Sequence, residues 1–289
     1  MNNKEQRELI DEISKIRKIL EKLIPDKIEG NDWTKANAFM WLSEKKFFKP
    51  IEFINSIPLE LLKGIDNNIN ILYENTENFA KSLPANNALL WGARGMGKSS
   101  LIKGIHSKFS EKIKSKLILI EIHREDIKDL PEILSILKIN QNINFIVFCD
   151  DLSFDSEDTT YKSLKTALEG GIEGRPKNVV FYATSNRRHL MAREMIDNEA
   201  STGINPSEGI EEKVSLSDRF GLWIGFHNCS QDDYLSMVNA YSDYYNLKIK
   251  KEELDRLAIS WASGRGSRSG RVAWQFITDL AGKKGIKLN

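Results

Sequence analysis

A glycine-rich run, Gly92-Ala93-Arg94-Gly95-Met96-Gly97-Lys98-Ser99, follows the apolar tetrad Ala88–Trp91 and leads into SLIKGIHSKF, a stretch suited to a helix. This is the G-x-x-x-x-G-K-[ST] pattern, and its chemistry is phosphate binding. Backbone N–H groups must close around phosphate oxygens, so glycines at 92, 95 and 97 remove Cβ clashes and permit positive φ. Lys98 brings a positive charge toward β- and γ-phosphates, and Ser99 offers a hydroxyl to Mg²⁺. The N-terminus of the following helix adds its partial positive charge. Gly92 through Ser100, with Ala93, Arg94 and Met96 inside it, is therefore the candidate nucleotide-binding segment. A glycine-rich turn without a ligand is the bland alternative, and the order strand, loop, helix disfavours it.

Two further segments end in polar groups suited to the same chemistry. INFIVFCDD (Ile143–Asp151) is an apolar strand terminating in two carboxylates. Asp150 at that strand's end suits Mg²⁺ beside a phosphate loop, and Asp151 suits polarisation of an attacking water. Read alone, the two acids equally fit a helix cap or a solvated loop. VVFYATSN (Val179–Asn186) is a second buried strand, and Asn186 at its end either orients water or caps the next helix. Arg219, in VSLSDRFGLWIGF, reads locally as a surface cation beside Asp218. Arg265, Arg268 and Arg271 recur every third residue in SGRGSRSGR, as in a basic loop or weak nucleic-acid patch.

Elements that could hold these groups are visible in the patterning. Short apolar runs at Ala88–Trp91, Leu117–Ile122, Ile143–Cys149, Val179–Thr184 and Leu222–Phe226 alternate with helical stretches. Such runs predict a five-stranded parallel sheet built of βαβ units and covered by helices on both faces. Beyond Ser230 the strands stop, and helices are expected near 231–244, 250–262 and 270–282. Upstream, Leu9, Ile13, Ile16, Leu20 and Leu23 form a helical seam that Pro25 ends. Residues 26–60 mix aromatics with Pro50 and Pro58 and are expected to form short helices and loops. Residues 197–217 are polar and punctuated by Gly and Pro, as in an exposed segment.

Composition excludes several classes. Lys+Arg 42 against Asp+Glu 41 leaves +1, with 40% hydrophobic residues, an ordinary globular profile rather than a disordered or polyanion-seeking one. Only residues 226–289 lean basic, by 10 to 7. Cys149 and Cys229 lie 80 residues apart without a CxxC spacing, so neither a zinc site nor a disulfide framework is indicated. No apolar leader and no membrane-length apolar stretch occurs, so a cytoplasmic location is expected.

Taken together, the phosphate loop, the strand with paired acids, the strand ending in Asn, Arg-Phe before the last strand and the basic opening of a helical segment resemble the AAA+ ATPases. More narrowly, LKGIDNNINILYENTENF, PANNALLWGARGMGKSSL, FCDDLSF, YATSNRRHLM, INPSEGIEEKVSLSDRFGL and GSRSGR resemble a bacterial AAA+ ATPase family of unknown function, over at least three quarters of the chain. The resemblance implies a helical N-terminal extension (1–60), an AAA+ nucleotide-binding α/β domain (61–228) and a helical lid (229–289). It implies Walker A at Gly92–Ser99, Mg²⁺ coordination by Ser99 and Asp150, Asn186 as sensor 1, Arg219 as arginine finger and Arg271 as sensor 2. Ile65, in the segment ahead of the loop, would contact adenine. The second acid is Asp151 where the superfamily usually has Glu, one methylene longer. The expected activity is hydrolysis of Mg-ATP in a homo-oligomer acting on a protein or nucleic-acid partner. The alternative is an ATP-switched nucleic-acid-binding module of the replication-initiator or loader type.

Overall fold

In the computed structural model of the chain, which describes residues 31–112, 117–154, 158–170, 174–190 and 216–288, seven strands form a single sheet. They are β1 (Ala38–Leu42), β2 (Phe47–Ile51), β3 (Ala88–Gly92), β4 (Leu117–Ile122), β5 (Asn144–Cys149), β6 (Val179–Ser185) and β7 (Leu222–Phe226), in the order β2-β1-β4-β5-β6-β3-β7. β1 and β2 are antiparallel and every other neighbouring pair is parallel. Among the described residues the α-helices are α1 (Asp66–Ala80), α2 (Lys98–Lys112), α3 (Leu130–Ile139), α4 (Tyr161–Glu169), α5 (Gln231–Tyr244), α6 (Lys251–Arg265) and α7 (Gly270–Lys284).

The continuous apolar strands are explained by burial on both sheet faces. Successive side chains alternate sides, so Ile146, Phe148, Val180 and Tyr182 enter one core while Phe145, Val147, Val179 and Phe181 enter the other. The first core is filled by Leu72 and Phe79 of α1, by Leu101, Ile105 and Phe109 of α2, and by apolar positions of α5–α7. The second takes Leu130, Ile133 and Leu137 of α3 and Leu164 of α4. Each fully buried side chain of this kind contributes about 1.5–3 kcal/mol. The result is the expected α/β architecture, with a mostly parallel sheet between helices.

Two expectations are corrected. The sheet has seven strands rather than five, and part of residues 26–60 is a β-hairpin rather than short helices and loops. Phe39, Trp41 and Phe48 are buried in that hairpin, and the Trp33 ring lies 5.0 Å from Phe39 and 4.9 Å from Phe145. The hairpin is pinned by Asp129, which accepts from Trp41 Nε1 at 3.0 Å, Ser43 Oγ at 2.5 Å and Lys46 Nζ at 2.9 Å. Pro50 is tolerated because β2 is an edge strand with an unpaired side. β1 then pairs in parallel with β4 and extends the sheet outward.

Helices α5, α6 and α7 follow the last strand. Ser230 and Asp233 close a reciprocal capping box at the start of α5. Ser269 caps α7, its Oγ accepting from Val272 N at 3.3 Å, and this fixes the direction from which Arg271 enters. The seam at Leu9–Leu23 and residues 197–215 of the polar segment lie outside the described residues. No helix among the described residues is long and apolar enough to cross a membrane.

Candidate functional site

Parallel pairing brings the carboxyl ends of four strands to one edge. Gly92 pairs with Phe226, Trp91 with Ser185 and Cys149 with Ala183, so the groups that follow β3, β5, β6 and β7 converge. In open α/β sheets this edge is where ligands bind. Here it opens into a cavity of about 480 Å³ between the sheet edge, α2 and the helices after β7.

The loop between β3 and α2 is shaped by contacts that exclude side chains. Gly92 has φ +119°, and Phe226 O accepts from Ala93 N at 2.8 Å; a Cβ on Gly92 would lie 2.1 Å from that oxygen. Gly95, at φ +72°, carries the C-terminal helices on its back. Arg271 N donates to Gly95 O at 3.1 Å, and a Cβ there would meet Ser269 Oγ and Arg271 Cβ at 3.0 Å. The helix carrying Arg271 is thus bonded directly to the loop.

Lys98 is 7% exposed. Its Nζ donates to Gly92 O at 2.8 Å, Ala93 O at 2.9 Å and Asn186 Oδ1 at 3.1 Å. Burial holds its pKa below the ordinary lysine value, against the pull of Asp150 and Asp151, while Arg94 and Arg271 push it further down. An anion brought beside this ammonium would oppose that shift and favour the charged form.

The carboxylates are held from β6. Asp150 Oδ1 accepts from Ser99 Oγ at 2.5 Å and from Thr184 Oγ1 at 2.5 Å. The same Thr184 hydroxyl accepts from the Asp151 backbone N–H at 2.9 Å. Asp151 takes φ +51°, unusual for a residue with a side chain, and its carboxylate accepts from Asn186 Nδ2. Asn186 therefore joins the Lys98 ammonium to the Asp151 carboxylate.

Most of the anticipated residues meet in this cavity. Ile65, Arg94 through Ser100, Asp150, Asp151, Asn186 and Arg271 line it, and Gly92 and Ala93 reach it through the carbonyls that hold Lys98. Arg219 is the exception. It is not among the lining residues, and its guanidinium pairs with Glu169 at the end of α4, with Nε 2.6 Å from Oε1.

Several lining residues carried no readable signal. Thr184 lies two residues before Asn186, in TSN at a strand end, and that polar cluster was its only trace. Met237, Tyr241 and Trp274 on α5 and α7, with Leu61 and Leu62 ahead of α1, form the apolar wall. In sequence they are ordinary apolar positions at helical spacing.

Cys149 is buried and Cys229 half-buried, both unbonded. Burial raises both thiol pKa values, that of Cys229 to about 11, so neither is a ready nucleophile. Among the described residues no group of three or more His, Cys, Asp or Glu side chains is arranged to hold a metal ion. Ser99 and Asp150 provide two hard oxygen donors at one point, which matches the needs of Mg²⁺, an ion usually completed by phosphates and waters.

The model of the protein family described as Protein of unknown function (DUF815) matches residues 34–284. Among curated proteins none matches the sequence. Among solved structures, a RuvB variant from Thermotoga maritima is similar with a TM-score of 0.51 and 12% identity, over 79% of this chain. This chain spans 66% of that protein's chain, just under two thirds. The ORC2 protein of Aeropyrum pernix, solved as ADPNP and ADP complexes, is similar with a TM-score of 0.50 and 14% identity, over 78% of this chain and 70% of its own. At such identities the likeness is one of fold, the AAA+ fold, and the residues must carry any argument about chemistry.

Proposed function

The chain belongs to the DUF815 protein family, and from the site it carries we propose that it is an ATPase that binds and hydrolyses Mg-ATP at the Gly92–Ser99 loop. One observation carries this reading. Ser99 of the loop and Asp150 at the end of β5, 51 residues apart in sequence, meet at 2.5 Å directly beside the buried Lys98. A glycine turn with no ligand has no reason to be faced by a buried ammonium and a carboxylate held by two hydroxyls.

In this reading the loop N–H groups and Lys98 bind the phosphates, and Lys98 exchanges its carbonyl partners for phosphate oxygens. Ser99 and Asp150 would hold Mg²⁺, which when bound neutralises phosphate charge that develops during transfer. Asp151 takes a proton from the attacking water, and Asn186, already bonded to Asp151, orients it. The apolar wall of Leu62, Ile65, Tyr241 and Trp274 accepts the base. Arg271 reaches the phosphates from α7, so nucleotide binding fixes the C-terminal helices against the sheet. Arg219 is the finger of a neighbouring copy in a homo-oligomer, held at the surface by Glu169 until a partner's γ-phosphate draws it away. Turnover moves the C-terminal helices and transmits that motion to a macromolecular partner.

The test is a pair of variants. Lys98→Ala is expected to abolish most ATP affinity in calorimetry, and Asp151→Asn to keep it while turnover falls about 10²–10⁴-fold, the usual weight of a general base. Unchanged ATP affinity in Lys98→Ala refutes the binding site, and normal turnover in Asp151→Asn refutes the assignment of the base.

A further inference from the structure

Next to the nucleotide cavity, with which it shares Arg94 and Asn186, the ends of β3, β6 and β7 form a second, shallow groove of about 550 Å³. Its charged lining is one-signed. Arg94, Arg187 and Arg188 supply three guanidinium groups, His227 an imidazole and Asn228 an amide, and no Asp or Glu lines it among the described residues. In a chain of net charge +1, such a patch is a local concentration rather than a reflection of composition. Arg94, Arg187, Arg188 and His227 are exposed, and none of the three arginines forms an ion pair among the described residues. Other surface cations do pair with acids, as Lys46 does with Glu132 and Arg124 with Asp158.

An aromatic platform sits within the same patch. The Arg188 guanidinium lies 5.3 Å from the centre of the Trp91 ring, and the His227 ring approaches Trp91 edge-on at 6.2 Å. Trp91 is fixed from below, because a Cβ on Gly225 would come within 3.0 Å of its ring. The backbone beneath is also rigid, since Ala93 N is bonded to Phe226 O. Unpaired cations spread around a held indole and guanidinium stack are what a flexible polyanion with π-faces requires.

We propose that this groove binds single-stranded nucleic acid, with phosphates on Arg94, Arg187 and Arg188 and a base on the Arg188–Trp91 stack. A duplex hides its base faces and would use only the charges. An acidic peptide has carboxylates but no base to stack. Arg94 lines both the groove and the nucleotide cavity, whereas Arg187 and Arg188 line the groove alone, so these two test the proposal apart from ATP turnover.

The experiment is fluorescence anisotropy of the full chain with a labelled mixed-sequence single-stranded oligonucleotide, the matching duplex and polyglutamate, across a salt series. Three phosphate contacts predict a slope of log affinity against log salt of about −2, and Arg187→Gln/Arg188→Gln should reduce its size by about 1.4 and weaken binding on the order of tenfold. The double variant's melting curve reports whether it folds, and Arg187→Gln alone serves if it does not. Single-strand affinity unchanged by these substitutions overturns the proposal. So does a preference for the duplex, or polyglutamate bound as tightly as the oligonucleotide. A change of oligomeric state with oligonucleotide affinity intact would instead make the groove a contact between copies, and overturns it equally.

Discussion

Thr184→Val isolates the part of the site that holds the two carboxylates. The substitution keeps the shape of the side chain and removes one oxygen, which donates to Asp150 at 2.5 Å and accepts from the Asp151 N–H at 2.9 Å. Thr184 itself is 1% exposed, so no water takes the hydroxyl's place without rearrangement. A neutral hydrogen bond to a backbone amide contributes about 0.5–1.5 kcal/mol net, and one to a carboxylate about 1.5–3 kcal/mol. Asp150 and Asp151 are exposed and regain water on their outer sides, which returns much of the second term. The expected loss of stability is therefore about 2 kcal/mol, read as a lowered denaturant midpoint at unchanged slope. The functional loss should be larger. Asp151 sits at φ +51° with its N–H tied to Thr184, and a displacement on the order of 1 Å in a catalytic group costs about 10²-fold in rate. Thr184→Ser, which restores the oxygen, should recover most of both. A Thr184→Val protein with an unmoved midpoint and normal ATP turnover would show that Thr184 is not what positions the acids.

Two further outcomes follow from residues outside that triangle. His106 is buried, its Nε2–H donates to Leu117 O at 3.1 Å, and burial lowers its pKa from 6.5 to about 4. Because the unfolded chain then binds a proton more readily than the folded one, this contribution is complete above about pH 6.5 and is lost as pH falls toward 4, to about 3 kcal/mol. His106→Gln, which keeps a donor for Leu117, should flatten that stretch of a stability–pH curve, and an unaltered curve would refute the assignment. Arg219→Ala should bind ATP without turning it over, and mixing it with Lys98→Ala should restore part of the activity, because intact loops then face intact arginines. Turnover independent of protein concentration, with no rescue on mixing, would refute a role across subunits.

What could be read from the residues alone was chemistry whose parts are contiguous. The pattern Gly92–Ser99 is legible because a phosphate-binding loop needs successive backbone N–H groups, so its glycines, Lys and Ser cannot be dispersed. Asp150 and Asn186 could be picked out because a strand buried on both faces is continuously apolar and stops abruptly at the sheet edge, where both residues line the cavity. The hairpin at Ala38–Ile51 escaped for the opposite reason. Its aromatics and Pro50 mimic loop composition, and the group that pins it, Asp129, bonds Trp41 from 88 residues away in the chain. Thr184 escaped because a hydroxyl at a strand end is common, and only the register of β6 beside β5 sets it between the Asp150 carboxylate and the Asp151 backbone N–H. Tyr241 and Trp274 look like core residues of α5 and α7 until the docking of Arg271 on Gly95 turns them toward the cavity. The pairing of Arg219 with Glu169 and the grouping of Arg94, Arg187, Arg188 and His227 belong to the same class. Side chains that meet only because distant strands end at one edge leave no spacing in the sequence, so tertiary structure alone decides them.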